Sequence, residues 1–446
     1  MRETRITQAS LFDSYSKHEF GFRLKSLSDV LDEHPEILTI IGRDLVGSSV
    51  KKVGRNGLSV ETIFRCLLLK QQLGISYEQL AFYLSDSITY RTFTRLPDNV
   101  SPSRSGLQST IRSIEPQTLG DVYGFLSKKW FDDGRIDLEK IRIDSTVIDS
   151  HITPPSDSQL LNDSVRVLSR HFAKSQSQTG VKIRFTDKRK ESKSLVFSIY
   201  NAKNAVKEQL YPKLLGLVRV VSKQTDRALK AVKSGGKETH QTKKWIDDVG
   251  HYQELMLKVV DQIHRRIVNK EKVPSSDKIV SIFEEHTDII IKGRRDIQYG
   301  HKVNLSTEEN GFITHFSIES GNPGDKNLFL PVLEAHKKSY GCLPLSVVCD
   351  GGYASKANVD KGREVGLKHA VFHKRVGISY QDMGVKIKTF KKLRNFRAGI
   401  EGNISELKRA FGATKAKWKG HDGFKAFVWS SVLCYNLVRM ARQPFV

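Results

Sequence analysis

Three carboxylates stand out by residue type, neighbours and spacing: Asp144, Asp350 and Glu401. Asp144 closes the run Ile136-Asp-Leu-Glu-Lys-Ile-Arg-Ile-Asp144, whose alternation of apolar and polar residues is the period of a half-buried strand. Asp350 closes Leu345-Ser-Val-Val-Cys-Asp350, an apolar run suited to a strand buried on both faces, and is followed by Gly351-Gly352-Tyr353. Glu401 lies in helical sequence, with Arg397 four positions before it and Lys408 seven after it on the same helix face. Hard oxygen ligands supplied by separate elements are what metal-assisted phosphodiester chemistry needs. Two divalent ions roughly 3.5–4 Å apart can activate an attacking oxygen and stabilise a leaving one. The expected cofactor is therefore Mg²⁺ or Mn²⁺, as two ions held by Asp144, Asp350 and Glu401. Mg²⁺ keeps several waters and takes few carboxylates, so no dedicated cage needs to be legible. Arg397 suits bidentate contact with a phosphate of DNA, and Lys408 suits a point-charge contact.

Each assignment has a plainer rival. Arg397 and Glu401 could form only an intrahelical salt bridge, worth a few tenths of a kcal/mol; two aspartates at predicted strand ends turn the reading towards a metal ligand. Glu406 competes for the third position but stands five residues further on, on another face of the helix. Asp149 and His151, just past Asp144, read as structural or loop residues. His301 and Lys302 sit in a predicted strand, where DNA contact and ordinary packing are equally good readings. His286 with Asp288 offers two ligands without a third.

The elements that must position these groups form an ordered series. Residues 20–132 carry apolar positions at helical spacing, as in Leu58-Ser-Val-Glu-Thr-Ile-Phe-Arg-Cys-Leu-Leu-Leu-Lys70 and Tyr77-Glu-Gln-Leu-Ala-Phe-Tyr-Leu84, the latter with an N-cap and capping-box signal at Ser76 and Gln79. This predicts a helical N-terminal domain over 1–134, suited to helix-turn-helix-like DNA binding, with Arg91, Arg95, Arg104 and Arg112 available for phosphates. A catalytic domain is expected over 135–446. It is interrupted by a helical insertion at about 157–275 whose stretch from Gly180 to Ser194 is rich in Lys and Arg. Strands are expected at 279–283, 288–292, 299–305 and 312–318, the last two forming a hairpin across Thr307-Glu-Glu-Asn-Gly311. A helix over 325–338, the strand ending at Asp350, and helical sequence from 397 to 442 complete the pattern. The 206 positions between Asp144 and Asp350 require the insertion, whereas the 51 from Asp350 to Glu401 leave no room for a second. The fold class is α/β: a ribonuclease-H-like core of mixed sheet flanked by helices, with a large helical insertion and a helical N-terminal domain.

The charge balance agrees with a polyanionic partner. The chain has 446 residues, 73 Lys and Arg against 49 Asp and Glu, and a net charge of +24. Such an excess attracts nucleic acid, whose counterions are released when Lys and Arg neutralise its backbone. The cysteines Cys66, Cys342, Cys349 and Cys434 are scattered without a CxxC pair, so neither a zinc finger nor a disulfide framework is indicated, and a reducing cytoplasm is expected. No apolar stretch approaches the ~20 residues of a bilayer span, so no membrane partner is expected.

Taken in order, a set of segments resembles the DDE-type transposases of bacterial insertion sequences, most closely the ISNCY type. They are Gln8-Ala-Ser-Leu-Phe12, Gly57-Leu-Ser59, Ser76-Tyr-Glu-Gln-Leu-Ala81, Ile143-Asp-Ser-Thr-Val-Ile-Asp-Ser-His-Ile152, Ser156-Asp-Ser-Gln-Leu-Leu161 and Asp163-Ser-Val-Arg-Val-Leu168. Val280-Ser-Ile-Phe-Glu-Glu-His-Thr-Asp-Ile-Ile290, Tyr299-Gly-His-Lys-Val303, Val348-Cys-Asp-Gly-Gly-Tyr353 and Arg397-Ala-Gly-Ile-Glu-Gly402 continue the set. The resemblance implies that Asp144, Asp350 and Glu401 are catalytic metal ligands and that Arg397 and Lys408 are the basic residues flanking the glutamate. It implies binding to double-stranded transposon ends and target DNA, cleavage to give a 3′-OH, strand joining, and a working homodimer. Where the family often has Tyr three residues before the Arg, this chain has Arg394. A nuclease of the same fold and a catalytically silent DNA-binding derivative are the two alternatives left open.

Overall fold

The structure is a computed structural model that describes residues 4, 15–46, 57–97, 99–292, 296–373 and 377–443. The Gln8–Phe12 segment of the resemblance lies outside them. Residues Met1–His151 with Gly300–Val446 form one compact unit, and Ile152–Tyr299 form another.

The first unit begins with helices α1 (Glu19–Glu33), α2 (Glu36–Leu45), α3 (Val60–Leu73), α4 (Tyr77–Asp86), α5 (Ile88–Thr94), α6 (Arg104–Ile111) and α7 (Pro116–Asp132). Local chemistry sets their ends. Ser76 and Gln79 make the expected capping box at α4, and Gly74 closes α3 with a left-handed φ of 64°. α3 is buried almost all round, including Arg65, which bonds Glu61 and Asp32; Arg95 pairs with the same two carboxylates. Arg91 donates to the carbonyls of Leu84 and Pro97. Arg91 and Arg95, expected to be available for phosphates, are thus spent on holding these helices together. Leu24, Leu67 and Trp130 from the N-terminal helices share one hydrophobic core with Ile141, Val348 and Leu433. The boundary expected at residue 134 therefore separates sequence patterns within a continuous packing unit.

The sheet has strands β1 (Lys140–Asp149), β2 (Asp288–Lys292), β3 (Asp296–Thr307), β4 (Ile313–Ile318), β5 (Ser346–Asp350) and β6 (His369–His373), in the order β2-β3-β1-β5-β6 with β4 paired to β3. β1 runs antiparallel to β3 and parallel to β5, so the sheet is mixed, as expected for the ribonuclease-H-like class. The β3–β4 hairpin turns at Gly311, where φ is 82°. Helices α8 (Asp157–Thr179), α9 (Arg189–Asn201), α10 (Asn204–Gly235) and α11 (His240–Ile263) form the helical part of the second unit around Leu161, Phe172, Val218, Trp245 and Met256. α12 (Phe329–Tyr340), α13 (Lys356–Glu364), α14 (Ile387–Ala410) and α15 (His421–Ala441) complete the first.

Several expectations change in detail. Asp144 lies in the middle of β1, not near its end, because β3 is long enough to pair with β1 as far as Asp149. Residues 279–283 form no strand; Ile282 is buried in the helical core, and the backbone N–H of Ile279 bonds the side chain of Gln262. The basic stretch after Gly180 is partly helical, since α9 starts at Arg189, with Arg189 held by Asp187 and Lys188 by Glu191. The helix expected from Arg397 starts ten residues earlier, and α13 and β6 were not anticipated.

His336 on α12 ties that helix to the hairpin: Nδ1 donates to the Val332 carbonyl at 2.8 Å and Nε2 meets the Thr314 hydroxyl at 3.1 Å. Burial, against a smaller opposing effect of the Val332 carbonyl, holds its imidazole down to about 4. Above the unfolded value near 6.5 both states are neutral there. As pH falls from there towards 4 the unfolded chain takes up a proton that the folded chain refuses, so stability is lost through that window by on the order of 3 kcal/mol. Urea unfolding followed at several pH values should show this loss in the native protein and a smaller one in His336→Gln. An unchanged pH dependence in the variant would rule out His336 as its source.

Candidate active site

β1 and β5 lie side by side, with Ile143 opposite Cys349, so the next residues along, Asp144 and Asp350, come to the same edge of the pair. Parallel pairing fixes that juxtaposition through the backbone, independently of the side chains. The third carboxylate arrives on α14, which packs against β1, β5 and β6 and buries Leu393, Ile400 and Leu407 at seven-residue intervals.

A polar clamp holds this helix in register. Arg142 of β1 donates from Nε to Thr307 at 2.9 Å, from Nη1 to the Phe396 carbonyl at 2.9 Å and from Nη2 to Asn403 at 2.8 Å. Its guanidinium also lies 4.7 Å from the centre of the Phe396 ring. Asn403 in turn donates to the Tyr435 hydroxyl at 3.0 Å, which donates to the Gly311 carbonyl at 2.9 Å, joining α14, α15 and the hairpin turn. Gly399 makes the approach feasible, because a Cβ there would run into the Arg142 guanidinium.

The three carboxylates meet on one guanidinium. Arg397 Nη2 lies 3.3 Å from Asp144 Oδ2 and 3.4 Å from Asp350 Oδ1, while Nη1 lies 3.1 Å from Glu401 Oε1. Arg397 is 14% exposed, Asp144 17%, Asp350 45% and Glu401 66%, so the cluster grades from a buried floor to an open rim. Three negative charges around a single positive one leave a deficit that divalent cations can fill, and every donor is a hard oxygen. The residues present thus fit a divalent ion. The field of the cluster is felt nearby: the Cys349 thiol is pushed up by burial first, then by Asp144 and Asp350, with Arg397 opposing.

Asp325 was missed by the sequence reading. It sits in a short 3₁₀ turn before α12, and its Oδ1 accepts from Ser145 Oγ at 3.0 Å and from Lys302 Nζ at 3.0 Å. Gly352 lets it come close, since a Cβ there would stand 2.8 Å from Asp325 Oδ2. The only sequence cue was the turn-prone Gly321-Asn-Pro-Gly-Asp325.

The remaining candidates separate clearly. Glu406 is held by Arg439 at 2.6 Å and Arg442 at 2.8 Å, apart from the cluster on Arg397. Lys408, on the Glu401 face of α14, acts electrostatically on Asp149 together with Lys415, while burial pushes the Asp149 carboxyl up. His301 is buried, stacked on His421 at 5.4 Å and edge-on to Phe424 at 4.8 Å, and Lys302 gives its ammonium to Asp325 and the Pro323 carbonyl. Packing, not an open DNA contact, is therefore the reading their surroundings favour. His286 bonds Glu284 at 3.0 Å.

A sheet-borne carboxylate cluster completed by a helix defines the class of enzyme, and family comparison identifies it. Residues 290–437, which include Asp350 and Glu401, match the Transposase DDE domain, and residues 13–111 match the Transposase domain (DUF772). The chain belongs to the DDE-type transposases of insertion sequences, enzymes that act on DNA with divalent metal ions. No curated protein and no solved structure gives a significant match to it. Among the described residues no helix is long and apolar enough to cross a membrane.

Gly399→Ala tests the clamp without altering any of the three carboxylates. Crowding Arg142 should destabilise the fold by about 1–3 kcal/mol and lower DNA cleavage by more than the loss of folded protein explains. Unfolding curves and cleavage per folded molecule check this; native values for both would show that α14 docks without needing the close approach.

Proposed function

We propose that this transposase binds the inverted-repeat ends of its own element, hydrolyses one strand to expose a 3′-OH, and directs that hydroxyl at target DNA, with Asp144, Asp350 and Glu401 as the catalytic carboxylates. The observation that carries the reading is their convergence on Arg397 from two adjacent strands and a helix. Asp144, Asp350 and Glu401 would hold Mg²⁺ or Mn²⁺, as two ions, and bound metal supplies charge stabilisation at the attacking and leaving oxygens.

The chain's own residues supply orientation. Asp144 is fixed by its strand on both sides, and its Oδ1 accepts from the Ser145 N–H at 2.8 Å. Arg397 offsets part of the charge of the three carboxylates. Its two-pronged guanidinium would suit a phosphate beside the reacting bond. Lys408, two helical turns along the same face, adds a point charge for the DNA end. Pairing two ends calls for two protomers, so the working form is a homodimer.

Asp144→Asn, Asp350→Asn and Glu401→Gln should each abolish cleavage of an end-bearing duplex, and joining of pre-cleaved ends, while leaving DNA binding in place; chelation of divalent ions should do the same to the native protein. Cleavage that survives Asp144→Asn and Asp350→Asn would overturn the assignment. Cleavage without any joined product from pre-cleaved ends would instead mark a nuclease.

Arg397→Gln removes the cation that competes for the same oxygens. Its Mn²⁺ titration, followed by thermal shift, should reach half-saturation at a several-fold lower concentration than the native protein, while cleavage falls. A weaker or unaltered Mn²⁺ response would mean that Arg397 does not stand in the place of the metal.

A further inference from the structure

A second concavity in the same unit has the opposite sign. A cavity of about 430 Å³ is lined by Lys70 from α3, Arg104 and Arg112 from α6 and its C-cap, and Lys417 and Lys419 from the segment joining α14 to α15; among the described residues Glu78 is its one acidic lining residue. Arg104, Arg112, Lys417 and Lys419 are exposed, whereas Lys70 is only 6% exposed.

The interior of this cavity is unsatisfied. The Lys70 ammonium rests 4.7 Å from the centre of the Tyr77 ring and has no carboxylate or hydrogen-bond partner among the described residues. Burial, and then Lys417, hold its pKa down at about 8. The Tyr77 hydroxyl and the indole Nε1 of Trp418 also have no hydrogen-bond partner among the described residues. Both rings line the cavity, stacked with centroids 6.5 Å apart, and Trp418 is 5% exposed. An indole N–H can only donate, and so can an ammonium. A buried cation without a counter-ion and orphaned buried donors are each unfavourable. An anion with several acceptor oxygens seated beside Lys70 supplies the missing counter-charge.

We propose that this cavity seats a phosphodiester group of the DNA backbone, with Lys70 at its floor and the exposed cations taking the neighbouring phosphates. The ring of four rim cations favours DNA over a free anion, because it offers charge beyond what one phosphate can use. This assignment rests on the chain acting on DNA, but not on the roles of the three carboxylates. The placement is functional as well as electrostatic. The Asp149 N–H donates to the Thr414 carbonyl at 3.0 Å and the Ala416 N–H donates to the Asp149 carbonyl at 2.8 Å, so the segment carrying Lys417 and Lys419 is tied to the end of the strand that bears Asp144. A phosphate held here sets the register of the duplex against β1.

The test is equilibrium binding of the full-length protein to a fluorescent duplex bearing an element end, in chelator so that no cleavage occurs, across about 50–200 mM salt. Lys70→Met should weaken binding several-fold and lower the slope of log affinity against log salt by about one. The exposed double variant Arg104→Ala/Lys417→Ala, whose folding is not at issue, should lower it by about two. Native affinity and slope in both would overturn the proposal, as would weaker binding at an unchanged slope, which marks a structural role. A melting temperature raised by inorganic phosphate over chloride and lost in Lys70→Met, with DNA affinity untouched, would make this a free-anion site and overturn the DNA assignment. Failure of Asp144→Asn to block cleavage would overturn the catalytic reading alone, whereas a native protein that does not bind the duplex would sink both.

Discussion

One guanidinium holds the active end of this molecule together. Asp144, Asp350 and Glu401 repel one another, and their approach within hydrogen-bonding range of Arg397 requires that the charge be neutralised at their centre. Arg397 does this from the same helix that carries Glu401, so the neutralising charge and the third carboxylate move together. In a chain of net charge +24 the site is a local negative island.

The scaffold beneath is built to resist that repulsion. Asp144 and Asp350 cannot separate without breaking the parallel β1–β5 pairing, and α14 cannot roll without breaking the Arg142 contacts to Phe396 and Asn403. These polar contacts are buried, and buried polar groups left half-satisfied are costly, so the arrangement is held as a set. Asp325, with Lys302 and Ser145, extends the same logic to the loop behind Asp350.

The helical unit shows how the core tolerates a long interruption. β1 and β3 remain paired to Asp149 and Gly300, next to the points where Ile152–Tyr299 leave and rejoin the chain, and that unit has a hydrophobic core of its own. Chain length between Asp144 and Asp350 therefore says little about their distance in space.

Much of this was legible in the residues themselves. Alternating and continuous apolar runs are local signals, and they located β1, the hairpin and β5; the capping box at Ser76 and the shared face of Arg397, Glu401 and Lys408 follow from fixed helical geometry. The length of β1 was not legible, because a strand extends as far as its partner pairs with it, and the partner lay more than 150 residues away. The fates of the arginines were hidden for the same reason: Arg95 meets Asp32 and Glu61, and Arg397 meets Asp144 and Asp350, only in three dimensions. Asp325 has only a turn-prone neighbourhood in sequence and the buried Lys70 no cue of its role, since the partners of Asp325 and the other cations around Lys70 come from segments far along the chain. Residue type and local period determined which groups could do chemistry and on what elements they stand; tertiary packing alone decided which of them meet, because charge and burial act through space and not along the chain.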